Sequence, residues 1–382
     1  MKRTVIAIVM TLATLSLTHA VAQEREVLFM EDFEGGVGSS VTLDPAAELS
    51  VTNDPDLVFA GEGSLQLEYV QAPMYQDVPD WGLPGSLALP LPEGLAGLGE
   101  VAFALRAQLS TPIVVTLAEG DDGPRYNCLL WCAADEWSEF SLALDDFVSD
   151  LDGPVDPNGR LDLELVNGIA LIDADSFVRA IAEQSPLFDA EPAAEQTLWL
   201  DEFVLRAGEP PAAMPEVPAP LAHYTPPMRG FLVIGGRDVT VASEEQDDGA
   251  HALRLGYTMP ATTILGLMNA IQPDALADCS AICLHARTNR QVTLIVALEE
   301  QREPGDLGKS RYESVVTLEP SEDLQTITLP LALFELADDQ TDPDGALNAD
   351  LVNMLSIADV TAIFTDGEVI NTLRLLPPVA VD

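Results

Sequence analysis

The chain has 382 residues, with 63 acidic against 17 basic side chains and a formal net charge of −46. That balance argues against nucleic acid, whose phosphates are gripped by Lys and Arg, and against anionic membrane surfaces, while a neutral ligand or a cation remains compatible. The length predicts two domains, each able to bury its own core.

Residues 1–22 read as a secretory signal. Lys2 and Arg3 supply the positive start, 5–17 the apolar core, and Ala20-Val21-Ala22 a cleavage site. The expected location is therefore secreted, periplasmic or cell-surface. No later run approaches ~18 consecutive apolar residues, so membrane insertion is not expected.

Strands are predicted over 26–36, 47–58 and 64–70. In the last of these Leu65, Leu67 and Tyr69 alternate with polar residues, the period of a half-buried strand. Residues 71–100 are rich in Pro and Gly, carry Tyr75 and Trp81, and hold a short strand at 86–91. Apolar strands follow at 101–108 and 113–119. Then comes a hairpin, 124–132 and 137–144, closed by an acidic turn. A strand within 161–173, a short helix near 177–184 and a strand at 197–207 complete the half, the alternation slipping between Leu200 and Phe203. The first domain is thus 23–207, and 208–220 is a Pro-rich spacer.

Residues 221–382 repeat the pattern. Arg311-Tyr312 matches Arg125-Tyr126, Phe334 matches Phe147, and 249–257 matches 61–69. The turn Asp342-Pro-Asp-Gly matches Asp156-Pro-Asn-Gly. The run 369–375 aligns with 199–205, which puts Asn371 opposite Asp201. The segment around 177–195 has no counterpart. Many short strands with regular turn signals predict two antiparallel β-sandwiches in tandem.

The order of Glu31-Asp32-Phe33-Glu34-Gly35, the 61–69 strand, Gly123-Pro-Arg-Tyr-Asn, Trp137-x-x-Phe-Ser-Leu, Phe147 and Leu198-Trp-Leu-Asp201 resembles the galactose-binding-like jelly rolls of carbohydrate-binding modules. Family 11 and the related domain of complex I intermediate-associated protein 30 are similar in this way. The resemblance spans most of 26–207 and, more weakly, 221–379. It implies glycan binding without catalysis, and a structural Ca²⁺ between the first and last strands. Asp32, Glu34, Ser64 and Asp201 are the candidate ligands, since Ca²⁺ takes six to eight oxygens. The second copy, with Asn371, is not expected to hold one.

For a neutral oligo- or polysaccharide the site needs an aromatic plane and a few polar groups. Alternation along 124–132 puts Arg125, Asn127, Leu129 and Trp131 on one face. Trp131, Arg125 and Asn127 form the candidate platform, with Tyr75 and Trp81 folding over it. Glu313 and Thr317 stand in place of Asn127 and Trp131 in the second copy, so binding is expected mainly in the first. The alternative is a surface adhesion module working through protein contacts. The four cysteines, Cys128, Cys132, Cys279 and Cys283, suggest disulfides in an exported chain. Regular strand geometry separates residues four apart by ~13 Å, so local pairing would need a bulge; cross-pairing and a zinc site are the alternatives. His223, His251 and His285 show no metalloprotease spacing, and no nucleophile-elbow motif is present. An enzyme is not expected.

Overall fold

The computed structural model describes residues 25–72, 84–91, 95–120, 123–150, 153–154, 156, 158–189, 193–208, 221–272, 274–301 and 309–381. In the first half the strands are β1 (Val27–Glu31), β2 (Val41–Thr42), β3 (Glu48–Thr52), β4 (Ser64–Val70), β5 (Ser86–Pro90), β6 (Leu98–Ala107), β7 (Thr111–Glu119), β8 (Arg125–Cys132), β9 (Ser138–Ala143), β10 (Val148–Ser149), β11 (Val166–Asp173) and β12 (Glu195–Ala207), with helix α1 (Asp175–Gln184) between the last two. The second half contributes β13 (Phe231–Ile234), β14 (Arg237–Glu245), β15 (His251–Met259), β16 (Leu265–Ala270), β17 (Ala281–Thr288), β18 (Val292–Glu300), β19 (Ser310–Leu318), β20 (Gln325–Pro330), β21 (Glu335–Leu336), β22 (Val352–Asp359), β23 (Val369–Leu375) and β24 (Val379–Val381).

Each half is an antiparallel sandwich of two six-stranded sheets. In the first, β3-β4-β12-β6-β9, with β1 also on β12, faces β10-β8-β7-β11-β5-β2. In the second, β14-β15-β23-β17-β20, with β24 on β17, faces β13-β16-β22-β18-β19-β21. Period-2 alternation drives this: Leu65, Leu67 and Tyr69 are buried along β4, and Tyr126, Cys128, Leu130 and Cys132 along β8. Phe103 anchors the first core, 5.3 Å from the Phe140 ring and 6.1 Å from Phe203.

The duplication extends to buried polar pairs. Tyr69 donates to Asp173 at 2.5 Å and Tyr257 to Asp359 at 2.7 Å. Tyr126 bonds Asp156 as Tyr312 bonds Asp342. Glu119 accepts from the Asp162 backbone as Glu300 does from Asn348. Register corrects one alignment. Tyr69 lies opposite Gln196, and Tyr257 opposite Asn371. Asn371 therefore matches Gln196, not Asp201. The strand runs on through Leu376-Pro377-Pro378 into β24, so Leu376 occupies the Asp201 position. The slip seen in the sequence is a β-bulge: register shifts between Asp201 and Val204, and Glu202 takes φ 48°.

All four cysteines are free thiols. β8 runs in regular register through Cys128 and Cys132, with both side chains in the core, so the bulge a local bridge needs is missing. Burial pushes the Cys132 thiol up to about 12, and Cys128 up as well. Both behave as small apolar core residues.

The unmatched segment comprises α1 and the residues just after it. From residue 209 the Pro-rich spacer falls outside the described residues, yet the halves meet directly. Leu187 accepts from the Ile264 backbone at 2.8 Å, and Asp189 pairs with Arg237 at 2.5 Å. Phe188 lies against Gly235 (φ +79°), where a side chain would meet Phe188 at 3.1 Å and the Ile264 carbonyl at 2.5 Å.

At the start of α1, Asp173 is buried and accepts from Tyr69, Thr111, Gln71 and the Asp175 backbone. Burial and then Asp173 push the neighbouring Asp175 carboxyl up to about 6, against the pull of Arg179. The native state thus keeps this proton over a range, ~4 to ~6, in which the unfolded chain has lost it. Stability from this group is present below that range and is lost as pH rises through it. Against Asp175→Asn, the wild type is expected to lose about 3 kcal/mol of relative stability between pH 4 and 7. Urea midpoints at the two pH values measure this; a constant gap would refute it.

Candidate functional site

The site is built on the outward face of β8. Its outer edge is shared between two partners. β10 pairs with the first part, Val148 opposite Asn127. The second half covers the rest: Trp131 N–H donates to the Met228 carbonyl at 3.0 Å, and Gly230 N–H to the Leu129 carbonyl at 2.8 Å. Residues 228–230 then lead into β13, which pairs with β16. One chain segment thus joins a sheet of each sandwich.

A cleft of about 700 Å³ opens beside this joint. Asn127 and Leu129 of β8 form one wall with Asp145, Asp146 and Val148. Leu221, His223, Arg229, Ile271 and Gln272 form the other. Arg229 pairs with Asp146 at 3.1 Å, so this charge is neutralised in place. Gln272 donates to the Asp145 carbonyl at 2.5 Å. Asn127 accepts from Thr116 at 2.7 Å, which leaves its amide N–H groups as what it can offer a ligand. Such a cleft can hold a small polyhydroxylated molecule, with mixed donors and acceptors above Leu129, Leu221 and Ile271.

The expected platform is only partly brought together. Alternation places Arg125, Asn127, Leu129 and Trp131 outward on β8, and Asn127 does line the cleft. Trp131 is corrected: it is 7% exposed and stacks on Phe231, centroids 6.1 Å apart and planes 17° apart. Phe231 in turn meets Tyr224 edge-on at 5.5 Å. The Trp131 ring therefore belongs to the core of the second sandwich and offers no exposed plane. Arg125 lines no part of the cleft wall; its carbonyl accepts from Asp150 at 2.8 Å. Tyr75 and Trp81 lie outside the described residues.

The residues expected to ligate calcium gather around the bulge of β12. Asp201, 1% exposed, takes donors on both oxygens. Oδ2 accepts from the Phe59 and Ala60 backbones at 3.0 and 3.1 Å and from Ser64 Oγ at 2.7 Å; Oδ1 accepts from Glu202 N–H at 2.8 Å. Three donors use up Oδ2, while Oδ1 faces one and keeps a lone pair. Glu34 accepts from the Glu62 backbone at 2.6 Å, and Asp32 from the Glu34 backbone at 3.2 Å. Among the described residues no three His, Cys, Asp or Glu side chains converge as a metal-binding group. Asp201 and Ser64 tie the bulge of β12 to the loop before β4, and Glu34 braces the same loop through Glu62 N–H.

Sequence reasoning missed Asp145, Asp146, His223, Arg229 and Gln272. Each sits on a connection whose position depends on how the halves dock, which strand periodicity does not encode.

No family model matches the chain, and no curated protein matches it. Among solved structures it is similar to a family 11 carbohydrate-binding module from Clostridium thermocellum in complex with a β-1,3-1,4-mixed-linked tetrasaccharide, at 12% identity and TM-score 0.32, over 40% of this chain and 88% of that one. It is similar to the tandem family 22 modules of Paenibacillus barcinonensis Xyn10C at 11% identity and TM-score 0.28, over 95% of this chain and 99% of that one. An exo-β-agarase matches at 13% identity and TM-score 0.31, over 48% of this chain but only 26% of the agarase. At these scores the likenesses are faint, and the tandem-sandwich assignment rests on the four sheets and their register.

Proposed function

We propose that this chain binds carbohydrate without acting on it, and that the cleft between the sandwiches is where a neutral glycan sits. The observation that carries this reading is the composition of the cleft wall. Asn127, Asp145 and Gln272 offer hydrogen-bonding groups of both kinds around the apolar Leu129, Leu221 and Ile271, and the Arg229 charge is already closed by Asp146. The volume of about 700 Å³ suits an oligosaccharide segment. The cleft draws on both halves, where the sequence pointed mainly to the first. Export through residues 1–22 is part of the same reading.

The test is calorimetric titration of the full chain with a mixed-linked β-1,3-1,4-glucan tetrasaccharide and a panel of neutral oligosaccharides. Asn127→Ala is expected to weaken binding roughly fivefold, the worth of about one hydrogen bond. Silence across the panel, or binding indifferent to Asn127 and Gln272, would end this reading. A protein-contact role is the second reading, favoured by the exposed Ile363, Phe364 and Ile370, at 40%, 73% and 64%. Phe364→Ser should leave glycan titrations untouched and abolish any protein capture.

A further inference from the structure

The second sandwich carries a row of arginines that the first sandwich lacks. On the outward side of the sheet β14-β15-β23-β17-β20, Arg254 lies directly opposite Arg374, and Arg374 opposite Arg287. Three arginines stand in one row, in a chain with only 17 basic residues. The first sandwich has Gln66, Trp199 and Arg106 at the same register positions. There the Trp199 indole donates to Gln66 at 3.1 Å, and the Arg106 guanidinium sits 5.5 Å from the ring centroid. The duplicated scaffold therefore needs only one arginine in this row, and that one rests on the Trp199 ring and pairs with Asp135 at 3.7 Å. Like charges directly opposite on neighbouring strands are unfavourable, and a local rule broken without structural gain marks a functional position.

Part of the row is balanced. Glu244 pairs with Arg374 at 2.6 Å and with Arg254 at 3.3 Å. Arg287 is not. It donates to the Glu322 carbonyl at 2.7 Å, its Nε is buried without a hydrogen-bond partner, and it has no ion pair among the described residues. Arg287 and Arg374 open on the same groove of about 310 Å³, with Asn289, Ser321 and Glu322 around them. Ser321 is committed to Asp323. The Asn289 oxygen accepts from Thr372 N–H at 3.1 Å, so its amide N–H groups are what it can offer. Glu245 and Asp247 stand on the far side of Arg287.

We propose that this groove binds a carboxylate-bearing sugar, a uronic acid unit within an oligosaccharide, with the Arg287 and Arg374 guanidinium groups holding its carboxylate and Asn289 donating to a hydroxyl. The planar guanidinium matches a carboxylate in two parallel hydrogen bonds. The acidic surface repels a polyanion at long range, but that field is screened within about 8 Å at physiological salt, so recognition falls to these contacts. The groove and the neutral-glycan cleft share no lining residue. This inference rests on the carbohydrate-binding reading and adds a ligand class to it.

The experiment titrates the full chain with a galacturonate tetramer and with its carboxyl-reduced, neutral counterpart. The acidic tetramer is expected to bind at least roughly tenfold more tightly. Arg287→Gln should abolish that preference while leaving the affinity for the mixed-linked glucan unchanged. Arg287→Lys, which keeps the charge but loses the fork, should lose most of it and covers the case in which the Gln variant fails to fold. Equal binding of the two tetramers, or a preference surviving both variants, overturns the inference. Acetate at the same carboxylate concentration should not bind measurably; if it binds as well as the tetramer, the groove is a plain anion site and the sugar assignment falls. Binding of neutral glycans alone sinks this inference and spares the reading beneath it. Failure of every glycan sinks both.

Discussion

Trp131→Ala is expected to cost roughly 3–5 kcal/mol, the range for removing a buried aromatic from a core, and to act on both sandwiches at once. The residue belongs by sequence to β8 of the first, while its ring stacks on Phe231 in the core of the second. Truncation leaves a void beside Phe231 and loosens residues 228–230, which hydrogen-bond to the backbone of Leu129 and Trp131. Thermal unfolding followed by tryptophan fluorescence and by circular dichroism should show one cooperative transition in the wild type. In the variant it should move down and split. A variant that melts with the wild type would mean that the ring carries no packing energy, and the docked arrangement would fall with it.

Asp201→Ala is expected to be nearly as damaging, at roughly 3 kcal/mol or more. It strands four donors that the carboxylate now satisfies, that of the fully buried Ser64 among them, and an unsatisfied buried donor costs about 1–3 kcal/mol. Asp201→Asn should help little. An amide N–H₂ in place of Oδ2 would point donors at the Phe59 and Ala60 N–H groups and at Ser64. Urea midpoints of the two variants against the wild type measure this, and an Asp201→Ala midpoint equal to that of the wild type would refute it.

Much of the fold was legible because it is local. Strand 64–70 coincides with β4, and 369–375 with β23. The two faces of β8 divide as alternation requires. Periodicity cannot supply the identity of the opposing surface. It put Trp131 outward, and outward in this molecule means into another domain. The register error at the last strand has a similar cause. Aligning apolar residues matched 369–375 to 199–205, but the bulge at Asp201-Glu202 breaks the count, and cross-strand partners fix the true match five residues away. The resemblance singled out Asp201 as a calcium ligand; the four donors it satisfies come from backbone placement that the sequence does not carry. The segment after Phe177 stood out for lacking a counterpart, and it proved to be one of the contacts between the halves.

The shared edge of β8 has a consequence for assembly. An uncovered strand edge is a template for any other chain able to pair with it. In this protein the template is filled by residues 228–230 of the same molecule, tethered through the Pro-rich segment. A tether of this kind holds its strand at a local concentration on the order of millimolar, far above that of free protein in most settings. Cutting the spacer would remove that advantage. The first sandwich would then be free to recruit the same strand from a neighbour, giving exchanged dimers and longer chains. Keeping two diverged copies on one polypeptide thus closes a surface through which either would polymerise.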